Sequence, residues 1–123
     1  MLSKVEHIDY CERTNKPWGY EILWAKPESG AYVGKLMCIY PNKRMSLQYH
    51  EKKEETIYVM AGALKIWQSK SEEEYLILSP GNVYHVEPMQ VHRFGAGDER
   101  VMLVEVSTNY LTDVVRLADD YNR

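Results

Sequence analysis

At 123 residues the chain can bury one hydrophobic core but not two, so one domain with one site is expected. Fifteen Lys and Arg against eighteen Asp and Glu give a formal charge of -3, which excludes a basic field for gathering a nucleic acid backbone. The longest apolar stretches, such as Tyr58 to Leu64 and Val101 to Val104, fall far short of the roughly 20 residues that a membrane-spanning helix needs, so no membrane partner is expected.

Taken in chain order, residues 1–16 carry Lys4, Glu6, Asp9, Glu12, Arg13 and Lys16 without a strong period and read as an N-terminal arm. Pro17-Trp18-Gly19 opens the ordered body, residues 17–110. Short apolar runs then recur with turn residues between them: Tyr32 to Tyr40 before Pro41-Asn42-Lys43, Thr56 to Met60 before Ala61-Gly62, and Leu64 to Gln68 before a polar patch from Ser69 to Glu74. Within that patch Glu72-Glu73-Glu74 reads as a solvated hairpin tip. Tyr75 to Leu78 precedes Ser79-Pro80-Gly81, Val83 to Val86 precedes Glu87-Pro88, and Val101 to Ser107 follows Gly95-Ala96-Gly97-Asp98. Many short strands at this spacing predict an all-β antiparallel sandwich or barrel. From Tyr110 to Tyr121, Leu111, Val114, Val115 and Leu117 fit a short helix or an irregular tail, and the pattern leaves the two open; residues 111–123 are taken as a C-terminal tail. Cys11 and Cys38 stand far apart, with neither a metal-knuckle partner nor a secretory leader beside them. They read as reduced thiols of a cytoplasmic protein, Cys38 as a small core hydrophobe.

The chemistry concentrates in Ser46-Leu47-Gln48-Tyr49-His50 and the adjoining Glu51-Lys52-Lys53-Glu54-Glu55. Side chains two apart on a strand share a face, so Gln48 and His50 can hold one ion between them. Four polar residues let the chain turn, and Glu55 opens the next strand, where its carboxylate can meet the same ion. His92, after Pro80-Gly81 and ten further residues, would bring a fourth donor from a neighbouring hairpin. Nitrogen and oxygen donors without thiolate suit one divalent ion, zinc first, with manganese, cobalt, nickel or iron as alternatives.

These two clusters resemble the paired motifs of the cupin superfamily, Gly-x5-His-x-His-x4-Glu-x6-Gly followed by a second motif ending in His. Asn42 takes the place of the first Gly and Gln48 that of the first His, while His50, Glu55, Gly62, Gly81 and His92 match directly. Pro88 sits one place late, and Met89 stands where a Gly is common. The resemblance implies a single-domain, jelly-roll-like β-barrel. Gln in the first ligand position, together with Lys16-Pro17-Trp18-Gly19 and the tail from Asp113 to Arg123, is similar to the type II mannose-6-phosphate isomerase domain that ends bifunctional isomerase and guanylyltransferase enzymes. Such domains commonly read Gln-x-His-x-x-Arg-x-Glu-His-Trp; here Lys53 replaces the Arg, and Thr56 and Ile57 replace His-Trp.

That resemblance implies an aldose-ketose isomerase, whose reaction needs a Lewis acid, a group that moves a proton between adjacent carbons, and a cation for the phosphate. The candidates for these last two roles are Lys35, Lys53, His85, Arg93 and Glu105 as catalytic groups and Arg116 as a substrate-binding group. Each has a plainer reading, since a strand His is commonly just half-buried and Lys or Arg is commonly a surface cation. Two other functions compete: an iron-dependent dioxygenase on the same barrel, and a non-catalytic cupin that binds a carbohydrate or small acid. The family also implies a homodimer built through terminal strands, with the N-terminal arm as the element for it.

Overall fold

A computed structural model describes residues 12–123. The described residues form eleven strands and no helix, so none of them forms a helix long and apolar enough to cross a membrane. In chain order the strands are β1 (Glu12–Lys16), β2 (Gly19–Ala25), β3 (Val33–Ile39), β4 (Leu47–Tyr49), β5 (Glu55–Ala61) and β6 (Leu64–Trp67). They continue with β7 (Tyr75–Leu78), β8 (Val83–Val86), β9 (Arg93–Ala96), β10 (Val101–Ser107) and β11 (Val115–Ala118). One layer is a six-stranded sheet ordered β1-β2-β3-β10-β5-β8; against it packs the sheet β7-β6-β9, and the pair β11-β4 lines a cavity with its polar residues. Every pairing is antiparallel, giving the all-β jelly roll that the spacing of apolar runs predicts.

Strand alternation decides what faces inward. On β10 the side chains of Val101, Leu103, Glu105 and Ser107 are buried, while Met102, Val104 and Val106 point the other way. On β5 the inward row is Glu55, Ile57 and Val59, and on β3 it includes Lys35 and Met37. The β5 and β10 rows are apolar at one end and polar at the other, and on β3 Lys35 interrupts an otherwise apolar row. The apolar part meets Leu64, Ile66 and Phe94 from the facing sheet, closing a core with Trp18 and Ile39. Each fully buried Leu, Ile or Phe contributes about 1.5–3 kcal/mol. The polar ends collect at one mouth of the sandwich, and the register Glu105 opposite Lys35 and Ile57, with Ser107 opposite Glu55, places them together.

Two turns carry left-handed residues that are not glycine. Asn42 has φ 59°, as expected for a stand-in for the motif's Gly. Met89 has φ 69°, so the second motif keeps the backbone shape of a glycine without having one, at a cost of about 1 kcal/mol or more. Its N–H donates to the His50 carbonyl at 2.6 Å, tying this turn to the end of β4. Gly62, at φ 79°, matches the motif for a second reason: a Cβ there would lie 2.3 Å from the Arg100 carbonyl oxygen.

Residues 12–16 and the C-terminal segment are more ordered than their patterns suggest. Of the segment read as an arm, residues 12–16 form an edge strand on β2; Lys4, Glu6, Asp9 and Cys11 lie outside the described residues. The C-terminal segment is neither helix nor irregular throughout. β11 pairs with β4, putting Val115 opposite Tyr49 and Arg116 opposite Gln48. Arg44 clamps the residues after β11, with Nε 2.7 Å and Nη2 2.9 Å from the Asp120 carboxylate, and the Tyr121 hydroxyl donates to the Arg44 carbonyl at 2.8 Å.

Candidate metal centre

Gln48 on β4 stands across an isolated bridge from His92, their main chains joined by reciprocal N–H to O=C bonds of 3.0 and 2.9 Å. His50 comes directly after β4, and Glu55 is the first residue of β5. The ligating atoms of His50, Glu55 and His92 lie within 4.8 Å of one another, and all three residues are buried. Glu55 Oε1 is 3.3 Å from His92 Nε2 and 3.9 Å from His50 Nε2. Ligand bonds of about 2.0–2.2 Å to a common ion put neighbouring donors roughly 3–3.5 Å apart, so little closing movement is required.

The tautomers are set by the outer partners. His50 Nδ1 faces the Asp113 carbonyl, and His92 Nδ1 lies 3.0 Å from the Gln90 carbonyl. A carbonyl only accepts, so in both rings Nδ1 carries the proton and Nε2 keeps its lone pair. Both Nε2 atoms are buried without a hydrogen-bond partner. Burial lowers the His50 pKa, keeping the ring neutral. Two imidazole lone pairs thus converge on a carboxylate oxygen, an arrangement of three acceptors that a cation satisfies. Gln48 lines the cavity with His50 and Glu55, and its Oε1 accepts from Ser46 Oγ at 2.6 Å, which leaves a second lone pair for a fourth bond. The residues fit a divalent metal.

Gln48, His50 and Glu55 line the cavity, of about 110 Å³, together with Lys35, Lys53, Glu105 and Arg116. Lys53 is 7% exposed, and its Nζ lies 2.9 Å from Glu55 Oε2 and 3.2 Å from Glu105 Oε2. Burial works against its charge, but Glu105 and Glu55 outweigh burial and hold the ammonium above the usual lysine value. Burial likewise opposes ionisation of Glu55, yet the Lys53 ammonium and the Glu105 acid keep it well below the carboxylate range. Glu105 behaves the other way: burial, then the neighbouring Glu55 charge, raises it to about 8. At neutral pH the trio is an ammonium, a carboxylate and a protonated acid. Lys35 Nζ is 3.3 Å from Glu21, which also lines the cavity.

Arg93 and His85 are not brought to this cavity. The strand alternation that turns His92 and Phe94 inward turns Arg93 outward, where its Nε donates to the Met45 carbonyl at 2.9 Å and its Nη2 to the Ala118 carbonyl at 3.1 Å. His85 lies opposite Thr56 on the outer face of the large sheet, half-exposed, with Nε2 2.8 Å from Glu54 Oε2. Sequence reasoning missed Lys16, Glu21, Asp113 and Arg123, all of which line the cavity. Alternation along Gly19 to Ala25 could have found Glu21, and the tight hairpin that sets Lys16 opposite Gly19 could have found Lys16, whereas Asp113 and Arg123 depend on long-range pairing.

The family model of the cupin domain matches residues 35–107, more than half of the chain. The chain belongs to the cupin family. Among solved cupin-like folds, a double-stranded β-helix protein of Klebsiella pneumoniae subsp. pneumoniae superposes with a TM-score of 0.71 at 18% identity, over 96% of this chain and 99% of that one. KdgF of a Halomonas species gives 0.68 at 16% identity, covering 80% and 87%. The oxalate decarboxylase of Lactobacillus farciminis gives 0.71 at 20% identity over 87% of this chain, which spans only 33% of that protein. Identities this low establish the fold alone. Among curated protein sequences none matches the chain.

Proposed function

We propose that this cupin is a metal-dependent sugar-phosphate isomerase of the mannose-6-phosphate isomerase kind. The observation that carries the reading is one cavity lined by Gln48, His50 and Glu55, with His92 Nε2 3.3 Å from Glu55, together with a buried ammonium and a carboxylic acid raised to about 8. Gln48, His50, Glu55 and His92 would hold the ion, with zinc the first expectation; when bound it supplies a Lewis acid for adjacent carbonyl and hydroxyl oxygens. Glu105, with an acidity near working pH, moves the proton between the substrate carbons. Lys53 holds the Glu55 carboxylate charged and in place, and Lys35 faces the substrate from β3. Arg116, with Arg123 beside it in the cavity lining, binds the phosphate at the mouth. The buried free thiol of Cys38 fits the cytoplasmic setting expected for this chemistry.

The metal-loaded protein is expected to convert mannose 6-phosphate to fructose 6-phosphate. Glu105→Gln should keep its metal and lose about 10²–10⁴-fold in kcat. Saturable binding without turnover would replace this reading by the non-catalytic one. That alternative is favoured by the wall beside Glu55, where Thr56 looks outward and Ile57 is an apolar core residue in place of His-Trp. Oxygen uptake by the iron-loaded protein, against which Gln48 argues, would replace both.

A second copy of the chain is proposed as the macromolecular partner, through the outer face of the six-stranded sheet. Trp24, Tyr58, Met60, Val83 and Val106 are there, each 45–58% exposed. Such a face can supply much of the roughly 800 Å² per partner that a standard interface buries. Sedimentation should give a dimer, and Trp24→Glu with Tyr58→Glu a monomer; a wild-type monomer at high concentration overturns this.

A further inference from the structure

We infer that Asp113, on the segment before β11, is a positioning residue that sets the metal affinity of the barrel. The inference rests on the metal-binding half of the proposed function and on none of the isomerase chemistry. Its carboxylate accepts from three successive backbone amides, with Oδ1 3.0 Å from Glu51 N and Oδ2 2.7 and 2.9 Å from Lys52 N and Lys53 N. These residues form the connection between His50 and Glu55, so one side chain fixes the link between two metal ligands. Its main-chain carbonyl meanwhile takes the Nδ1 proton of His50. One residue thus holds the loop, the ring orientation and the tautomer that aims Nε2 at Glu55.

Three converging N–H groups form an anion-binding concavity, and the carboxylate of Asp113 is the anion that fills it. Burial opposes its charge, but the amides of Lys52, Glu51 and Lys53 outweigh burial and keep the group ionised. Without that carboxylate the amides turn to water, the loop gains freedom, and the carbonyl no longer stays over His50. The C-terminal segment is in this way part of the metal centre, although it supplies no ligand to it.

The test measures zinc affinity by competition with a chromophoric chelator in the full chain. Asp113→Ala is expected to weaken zinc by about 10–100-fold, the usual cost of losing an outer partner of a metal ligand. Asp113→Asn, which keeps one acceptor oxygen, should fall between. Arg44→Ala serves as the control: it cuts the clamp on Asp120 and should lower Tm while leaving zinc affinity within about twofold of wild type. Nitrogen-15 spectra of histidine in the metal-free protein give a readout that needs no ion. The wild type should show His50 protonated at Nδ1 alone, and Asp113→Ala a mixture of tautomers. A folded Asp113→Ala protein with wild-type affinity and an unchanged His50 spectrum overturns the inference alone. Failure of the wild type to bind any divalent metal overturns it together with the metal reading, while failure of the isomerase assay leaves it standing.

Discussion

His50→Ala combined with His92→Ala is expected to empty the protein of metal, from near one ion per chain to none by elemental analysis of untagged material. The two rings supply both buried nitrogen lone pairs of the donor set, and nothing in the remaining Gln48 and Glu55 pair compensates. A carboxylate and a neutral amide oxygen make a weak, hard site that water outcompetes for a borderline ion such as zinc. The thermodynamic signature should be as plain as the elemental one. A ligand at 100 times its dissociation constant stabilises the native state by about 2.7 kcal/mol, so added zinc should raise the Tm of the wild type and leave that of the variant unmoved. In chelator the gap between the two proteins should narrow, because two orphaned acceptors facing Glu55 are removed along with the rings. A variant that still binds zinc with wild-type affinity, or a wild type that takes up none, would sink the metal centre.

The convergence of His50, Glu55 and His92, with Gln48 across the bridge from His92, follows from local rules that the sequence already carries. Gln48 and His50 are two apart beside one short strand, Glu55 opens the next, and strand alternation does the rest. The apolar runs from Tyr32, Thr56, Leu64, Tyr75, Val83 and Val101 became strands for the same reason. β9 was not legible, since Arg93-Phe94-Gly95-Ala96 has one large apolar residue and a glycine; Gly95 is needed because Trp67 packs 2.7 Å from where its Cβ would be. Nor was β11, whose valines fit a strand or a short helix until β4 supplies its hydrogen bonds. Asp113 was invisible as a site residue for a related reason. Its partners lie about 60 positions earlier, and three of them are backbone amides that carry no sequence signal. The fate of Arg93 shows the converse limit: adjacency to a ligand on a strand places a side chain on the opposite face.

Lys53→Met is expected to be the most destabilising single change in the site, by about 3–5 kcal/mol in metal-free protein, or a fall in Tm of roughly 10 °C or more. Met matches the length of the lysine stem, so packing is largely kept and the loss is electrostatic. Two buried acids, Glu55 and Glu105, would be left side by side without the ammonium that lies 2.9 and 3.2 Å from them. The pH dependence has a definite sign. A carboxyl held protonated up to about 8 contributes stability that is fully present below its ordinary value near 4.3 and lost as pH rises through 8. With Lys53 gone, nothing nearby draws the Glu105 proton off as strongly, so in the variant that window extends upward and the decline continues above pH 8. Adding Glu105→Gln should then recover at least about 1 kcal/mol, because the amide donates to Glu55 as the protonated acid does and no second charge remains to be neutralised. Urea titrations of the four proteins of this cycle, in chelator at pH 6 and pH 9, measure each quantity. If Lys53→Met unfolds at the wild-type midpoint, or if the second substitution recovers nothing, the ammonium is not what reconciles two acids in one apolar wall.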